Sequence, residues 1–211
     1  MQKPIKIIDL FAGPGGLGEG FSAHQESDPC KPFKIGLSIE NDPHAHGTLT
    51  LRSFYRQFPA DQVPAAYSDY LSGHLGAHPE DGLLRLAEYQ KQAAAARSEA
   101  RLFALGRDTR AINSAIADVL GKRPAPWVLI GGPPCQAYSL VGRARNKGVV
   151  DYEPEKDHRN FLYKEYLKVI ARFAPDVFVM ENVKGMLSAN VAGQNMFGQI
   201  LKDLECPSRA L

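Results

Sequence analysis

Trp127-Val128-Leu129-Ile130-Gly131-Gly132-Pro133-Pro134-Cys135-Gln136-Ala137-Tyr138-Ser139 is an apolar run broken off by two glycines, two prolines and a cysteine. Trp127 to Ile130 has the continuous apolar character of a strand buried on both faces of a parallel sheet. The two prolines fix φ and remove two N–H donors, so the backbone that follows is stiff and lies outside any central ladder. Cys135 is therefore expected on a rigid turn beyond the C-terminal end of a strand, the rim at which open α/β sheets place their ligands. Most free cysteines are small buried apolar residues. Here the Gly-Gly-Pro-Pro approach argues for a displayed thiol instead.

The same pattern of a strand ending in a chemically pointed group recurs along the chain. Ile5 to Phe11 reads as a buried strand, and Ala12 to Phe21 as a glycine-rich turn opening a helix. Glycine suits a loop that brings backbone N–H groups against a ligand, where a Cβ has no room and φ is often positive. Lys34 to Glu40 is a second strand, closed by Glu40, Asn41 and Asp42, where a carboxylate can accept hydrogen bonds from ribose hydroxyls. Asp176 to Met180 is a further buried strand, followed by Glu181-Asn182-Val183. An amphipathic helix from Phe161 to Phe173, ended by Pro175, joins it to the strand that leads to Cys135. One helical crossover of that length predicts neighbouring parallel strands, with thiol and carboxylate converging. A glutamate buried there could hold a proton near neutrality, and a cysteine near cationic groups could supply thiolate.

The remaining segments predict one α/β domain over residues 1–211 with a mostly parallel sheet. His44 to Arg56 reads as a helix, Pro59 to Gly82 as loop, Leu83 to Ala104 as one alanine-rich helix, and Asp108 or Thr109 to Leu120 as another, ended by Gly121. Residues from about 59 to 106 look like a peripheral insertion, with Arg85, Lys91, Arg97 and Arg101 on a solvated face. Leu140 to His158 is polar and glycine-bearing, the pattern of a mobile functional lid. Lys184 to Leu204 adds a loop and a helix.

Composition narrows the function classes. With 25 Lys+Arg against 23 Asp+Glu the formal net charge is +2, so any nucleic-acid contact must come from a local patch. Cys30, Cys135 and Cys206 are widely spaced with no CxxC, which predicts neither a disulfide framework nor a metal site, and fits a reducing cytosol. No apolar stretch reaches membrane-spanning length.

Three of these stretches, Asp9-Leu10-Phe11-Ala12-Gly13-Pro14-Gly15-Gly16, Gly132 to Ser139 and Glu181-Asn182-Val183, resemble in order the most diagnostic motifs of the DNA (cytosine-5)-methyltransferases. Asp157 to Tyr163 is similar to a further family motif. The likeness spans nearly the whole chain outside the insertion. It implies a Rossmann-like methyltransferase fold using S-adenosylmethionine, with S-adenosylhomocysteine as product and no metal. Phe11, Gly13, Gly15 and Gly16 would line the methionine side of that cofactor, Glu40 its ribose and Asn41 its adenine, with Pro133 and Leu162 nearby. The substrate implied is a cytosine flipped out of double-stranded DNA. Cys135 would add to ring carbon 6 and Glu181 would engage N3 and the exocyclic amine. Arg159 would lie near the cytosine, and Gln136, Ser139 and Asn182 in contact with DNA.

Two departures accompany the likeness. The acidic residue that commonly meets the adenine amine has only Asp108 as a weak candidate. The family's target recognition domain and late motifs are also absent, so the fold is expected to be C-terminally incomplete, the chain being truncated or completed by a partner. A bacterial cytosolic setting is expected. The alternatives are a non-catalytic fragment or one subunit of a split enzyme, and, more remotely, a nicotinamide-dependent oxidoreductase. The latter rests on Gly13-Pro14-Gly15-Gly16-Leu17-Gly18 satisfying GxGxxG with Glu40 downstream.

Overall fold

A computed structural model describes residues 4–24, 32–59, 61–122, 125–134, 162–188, 190–191 and 194–211. The chain divides into two compact units, Met1–Ala125 and Pro126–Leu211.

In the first unit the apolar runs form β1 (Ile5–Leu10) and β2 (Phe33–Glu40), paired in parallel from Ile5 opposite Phe33 to Leu10 opposite Ile39. Ile7, Ile8, Leu10, Ile35, Leu37 and Ile39 are all buried. A third strand, β3 (Ala100–Leu102), lies parallel to the last residues of β2, Ser38 opposite Ala100 and Glu40 opposite Leu102. Helices α1 (Gly16–Ala23) and α2 (Pro43–Tyr55) follow β1 and β2. Helix α2 starts where Asp42 accepts a hydrogen bond from the Ala45 N–H at 2.8 Å and Pro43 takes the first helical position, both favoured there because early N–H groups lack partners. Among the described residues of this unit three more α-helices follow: α3 (Ala65–Leu71), α4 (Gln90–Glu99) and α5 (Thr109–Leu120).

The second unit is built on β4 (Trp127–Gly131) and β5 (Val177–Met180), parallel from Val128 opposite Val177 to Gly131 opposite Met180. Between them in sequence comes α6 (Tyr163–Phe173). Its Tyr166 hydroxyl reaches the carbonyls of Leu129 and Val179, each at 3.1 Å, and so clasps both strands. Asp176 accepts the Trp127 N–H at 2.9 Å and aligns the strand starts. The two-residue strands β6 (Asn190–Val191) and β7 (Gln194–Asn195) pair antiparallel and lead into α7 (Met196–Glu205). Tyr163, Leu167, Met186, Met196 and Ile200 form the core beneath them.

The α/β class with parallel pairing and Rossmann-like alternation is as expected, and so is the β4–β5 pairing. Four expectations need correction. Residues 83–104 are not one helix: short 3-10 turns at Leu83–Arg85 and Ala87–Tyr89 precede α4, and the chain is extended at Ala100. The segment before it is not all loop, since it contains α3. The stretch read as peripheral is integral: it supplies β3, and Phe103 donates its N–H to the Glu40 carbonyl at 3.0 Å. Its core of Leu83, Leu84, Ala93 and Ala96 closes on Phe54 of α2. Finally, β5 is not buried, with Val177 54% and Phe178 39% exposed: successive side chains point to opposite faces of a sheet, so among the described residues both faces of β5 are left partly uncovered.

Candidate functional site

Residues 11–16 make a tight turn between β1 and α1. Phe11, Gly13 and Gly15 all have positive φ, at 57°, 55° and 92°, a region that a residue with a bulky side chain enters only under strain. A Cβ on Gly13 would meet nothing within 4 Å, so there glycine serves the backbone conformation and leaves open space beside the turn. Gly15 is the N-cap of α1 and no side chain caps that helix start. Its first N–H groups are those that a ligand can use.

Glu40 ties this turn to the end of β2. One carboxylate oxygen accepts the Gly13 N–H at 2.7 Å, and the other accepts the N–H groups of Asn41 and Asp42, each at 2.8 Å. The side chain is buried, but three charge-assisted bonds replace its hydration. Lone-pair capacity remains on the oxygen that binds Gly13, in keeping with one further donor. Asn41 is exposed next to it, whereas Phe11 and Gly13 are half-buried, Gly15 is buried and Gly16 exposed.

Asp9, at the penultimate position of β1, is a residue to which the motif reading assigned no role. It is 1% exposed, and neither carboxyl oxygen has a hydrogen-bond partner among the described residues. Burial pushes its pKa up to about 7, against the opposing pull of the Arg56 guanidinium; the Glu40 carboxylate adds to the rise, and the Gly18 N–H, which does not close a full hydrogen bond, opposes it. Arg56 is itself held between Glu19 of α1 and Glu99 of α4. The one signal in sequence was an acid inside an otherwise apolar strand.

Asp108, the weak candidate for an adenine contact, accepts the Ala104 N–H at 2.8 Å. This bond, with the Arg107 guanidinium second, holds its pKa below the usual carboxylate value. It stands at the N-cap position of α5 without making a cap bond.

In the second unit the β4–β5 register carries the strand ends side by side. Glu181 donates its N–H to the Gly131 carbonyl at 2.9 Å, extending the ladder one step past β5. Asn182 reaches the Pro133 carbonyl with its amide nitrogen at 3.4 Å, while its oxygen accepts the Val183 N–H at 2.8 Å. The Gly-Gly-Pro-Pro and Glu-Asn-Val stretches are thus brought together. Pro133 is buried, and Leu162 is half-buried at the start of α6. Glu181, expected in a buried setting, is exposed. Cys135, Gln136, Ser139 and Arg159, and the lid expected over Leu140 to His158, lie outside the described residues. Cys206 is a half-buried free thiol. Among the described residues no cluster of three or more His, Cys, Asp or Glu could hold a metal, and no helix is long and apolar enough to cross a membrane.

Comparison with known proteins bears on the whole chain. It is 35% identical over 199 residues to the type II methyltransferase M.Bpa9945I of Bacillus paralicheniformis, which covers 87% of this chain and 41% of that protein. To the type II methyltransferase M.DdeI of Desulfomicrobium norvegicum it is 38% identical over 200 residues, 95% of this chain and 32% of the relative. To the type II methyltransferase M.BspRI of Lysinibacillus sphaericus it is 38% identical over 203 residues, 94% of this chain and 37% of the relative. The chain therefore spans between about a third and two fifths of the length of these relatives. The family model of the C-5 cytosine-specific DNA methylases matches residues 107–206, which contain β4, β5 and both strand-end motifs, so over these residues the chain is similar to that family.

Proposed function

We propose that the chain carries the catalytic residues of an enzyme that transfers a methyl group from S-adenosylmethionine to carbon 5 of cytosine in DNA. The observation that carries the proposal is the β4–β5 register, which sets the approach to Cys135 against Glu181 and Asn182. The turn at residues 11–16 fits the cofactor, being open beside Gly13 and uncapped at α1. When bound there, S-adenosylmethionine supplies an electrophilic methyl on a sulfonium.

Phe11, Gly13, Gly15 and Gly16 would hold its methionine side, Glu40 would accept from its ribose and Asn41 would lie by its adenine; Pro133 and Leu162 are proposed as further cofactor residues. Cys135 as thiolate bonds to ring carbon 6 of a flipped cytosine, which makes carbon 5 nucleophilic. Glu181 hydrogen-bonds ring N3 and the exocyclic amine, favouring electron flow into the ring. With the methyl group on carbon 5, loss of the carbon 5 proton to solvent would leave its electron pair to re-form the ring double bond as the carbon–sulfur bond breaks and Cys135 departs as thiolate. Arg159 sits by the cytosine, and Gln136, Ser139 and Asn182 contact DNA. Target-sequence readout is left to a recognition region on the same polypeptide or a partner chain, through contacts to base edges. The setting is a reducing bacterial cytosol.

The test is transfer of labelled methyl groups to mixed-sequence duplex DNA by the wild-type chain and by Cys135→Ser. Transfer that disappears in the variant supports the mechanism, and transfer unchanged in it overturns it. Calorimetric titration should show S-adenosylhomocysteine binding. Tight binding of NAD with no response to S-adenosylhomocysteine would replace this reading by an oxidoreductase.

A further inference from the structure

Gly13 and Gly132, each just past the end of a strand, are glycine for different reasons. Gly13 has positive φ and open space where a side chain would go, so its backbone conformation selects it. Gly132, just after β4, lies outside the left-handed region, so conformation gives no reason for it. Its surroundings do. A Cβ on Gly132 would stand 2.9 Å from Oε2 of Glu181, 3.7 Å from the Glu181 carbonyl oxygen and 4.0 Å from its Cβ. The first distance is shorter than van der Waals contact allows and the other two are ordinary, so the bare Cα of Gly132 is where the Glu181 carboxylate rests.

No hydrogen bond or ion pair to that carboxylate occurs among the described residues, although its backbone N–H is fixed on Gly131. An exposed glutamate anchored only through its backbone explores several rotamers. Contact with a flat, side-chain-free surface removes those that swing across β4. We infer that Gly132 is a positioning residue: its missing side chain forms the seat that holds the Glu181 carboxylate over the end of β4, on the approach to Cys135. This rests on the methyl-transfer reading for its consequence, but not for its geometry. Because the atom that a methyl group would displace is the far end of a flexible side chain, Gly132→Ala moves the carboxylate without breaking the fold. A displacement of half an ångström or more at a group that must meet a ring nitrogen is expected to lower turnover by about 10- to 100-fold.

The experiment compares Gly132→Ala, Glu181→Asp and the double variant in the full chain. Turnover for methyl transfer and thermal midpoint are measured for each. The Glu181 carboxyl resonance, assigned with Glu181→Gln, is compared between wild type and Gly132→Ala by carbon NMR at one pH. The inference expects a thermal midpoint within about 2 °C of wild type and a moved Glu181 resonance in Gly132→Ala. It also expects the alanine to add no loss in the Glu181→Asp background, where the shorter side chain no longer reaches it. Equal losses in both backgrounds, wild-type turnover in Gly132→Ala, or a collapse of its thermal midpoint would each overturn it. If wild type transfers no methyl group, the methyl-transfer reading fails, and the NMR arm still decides: an unmoved Glu181 resonance in Gly132→Ala removes the seat.

Discussion

Glu40 and Glu181 stand at equivalent places, each at the C-terminal end of a parallel strand, and their surroundings are opposite. Glu40 is buried and accepts three backbone N–H groups, so β2, the glycine turn and the start of α2 meet on one carboxylate. Glu181 is exposed, and among the described residues its carboxylate rests against Gly132 with no hydrogen bond. A carboxylate saturated with fixed donors builds structure, because moving it would strand those donors. One held only by contact is free to exchange its solvation for a substrate. Asp9 is a third case, buried like Glu40 and without a hydrogen-bond partner like Glu181.

That contrast is broken or sharpened by measuring what each carboxyl contributes to stability. Asp9 has the largest expected effect. Its folded pKa of about 7 lies above the value of 3.8 for an unburied aspartate, so the folded state holds the proton more tightly. The stability linked to Asp9 is complete below about pH 4, falls as pH rises towards 7 and is flat above, a span of as much as about 4 kcal/mol. In Asp9→Asn, which has no proton to lose, that fall disappears, and denaturant unfolding at pH 4 and pH 8 checks it. A wild-type stability that rises between those values more than that of the variant would show that Asp9 ionises readily after all.

Glu40 comes next. Replacement by Gln turns an acceptor into a donor facing N–H groups and removes charge assistance, at a cost of about 3 kcal/mol. For a chain of this size that lowers the thermal midpoint by roughly 6–12 °C, and S-adenosylhomocysteine affinity, read by calorimetry, should fall with it. Glu181→Gln should change stability least, by less than about 0.5 kcal/mol as an exposed position, while methyl transfer falls by two to three orders of magnitude as expected for losing a group matched to the reacting ring. A large loss of stability in Glu181→Gln would make the two glutamates alike and end the comparison.

The strands with strong hydrophobic runs were legible from sequence, since Ile5 to Leu10, Phe33 to Glu40 and Trp127 to Gly131 need no context to be read as buried ladders. The three-residue β3 was not. Ala100-Arg101-Leu102 has no period, and only pairing with β2 makes it a strand, which is why the alanine-rich pattern before it seemed to continue as helix. Burial of β5 was inferred from Val-Phe-Val-Met alone, but exposure depends on what lies against a strand rather than on its own residues. Glu40 was legible as an acid at a strand end, but its three backbone donors depend on turn geometry that spacing does not encode. The burial of Asp9 and the contact of Gly132 with Glu181 likewise arise only when distant segments meet.

Phe11 turns from β1 into the glycine turn with φ of 57°, a conformation that for an aromatic residue costs about 1–2 kcal/mol and for glycine nothing. Phe11→Gly would relax the backbone yet discard the ring, so the position sets stability against recognition within one residue. A chain improved for heat resistance alone would give up that phenyl group first, and with it the aromatic surface proposed to line the methionine side of the cofactor.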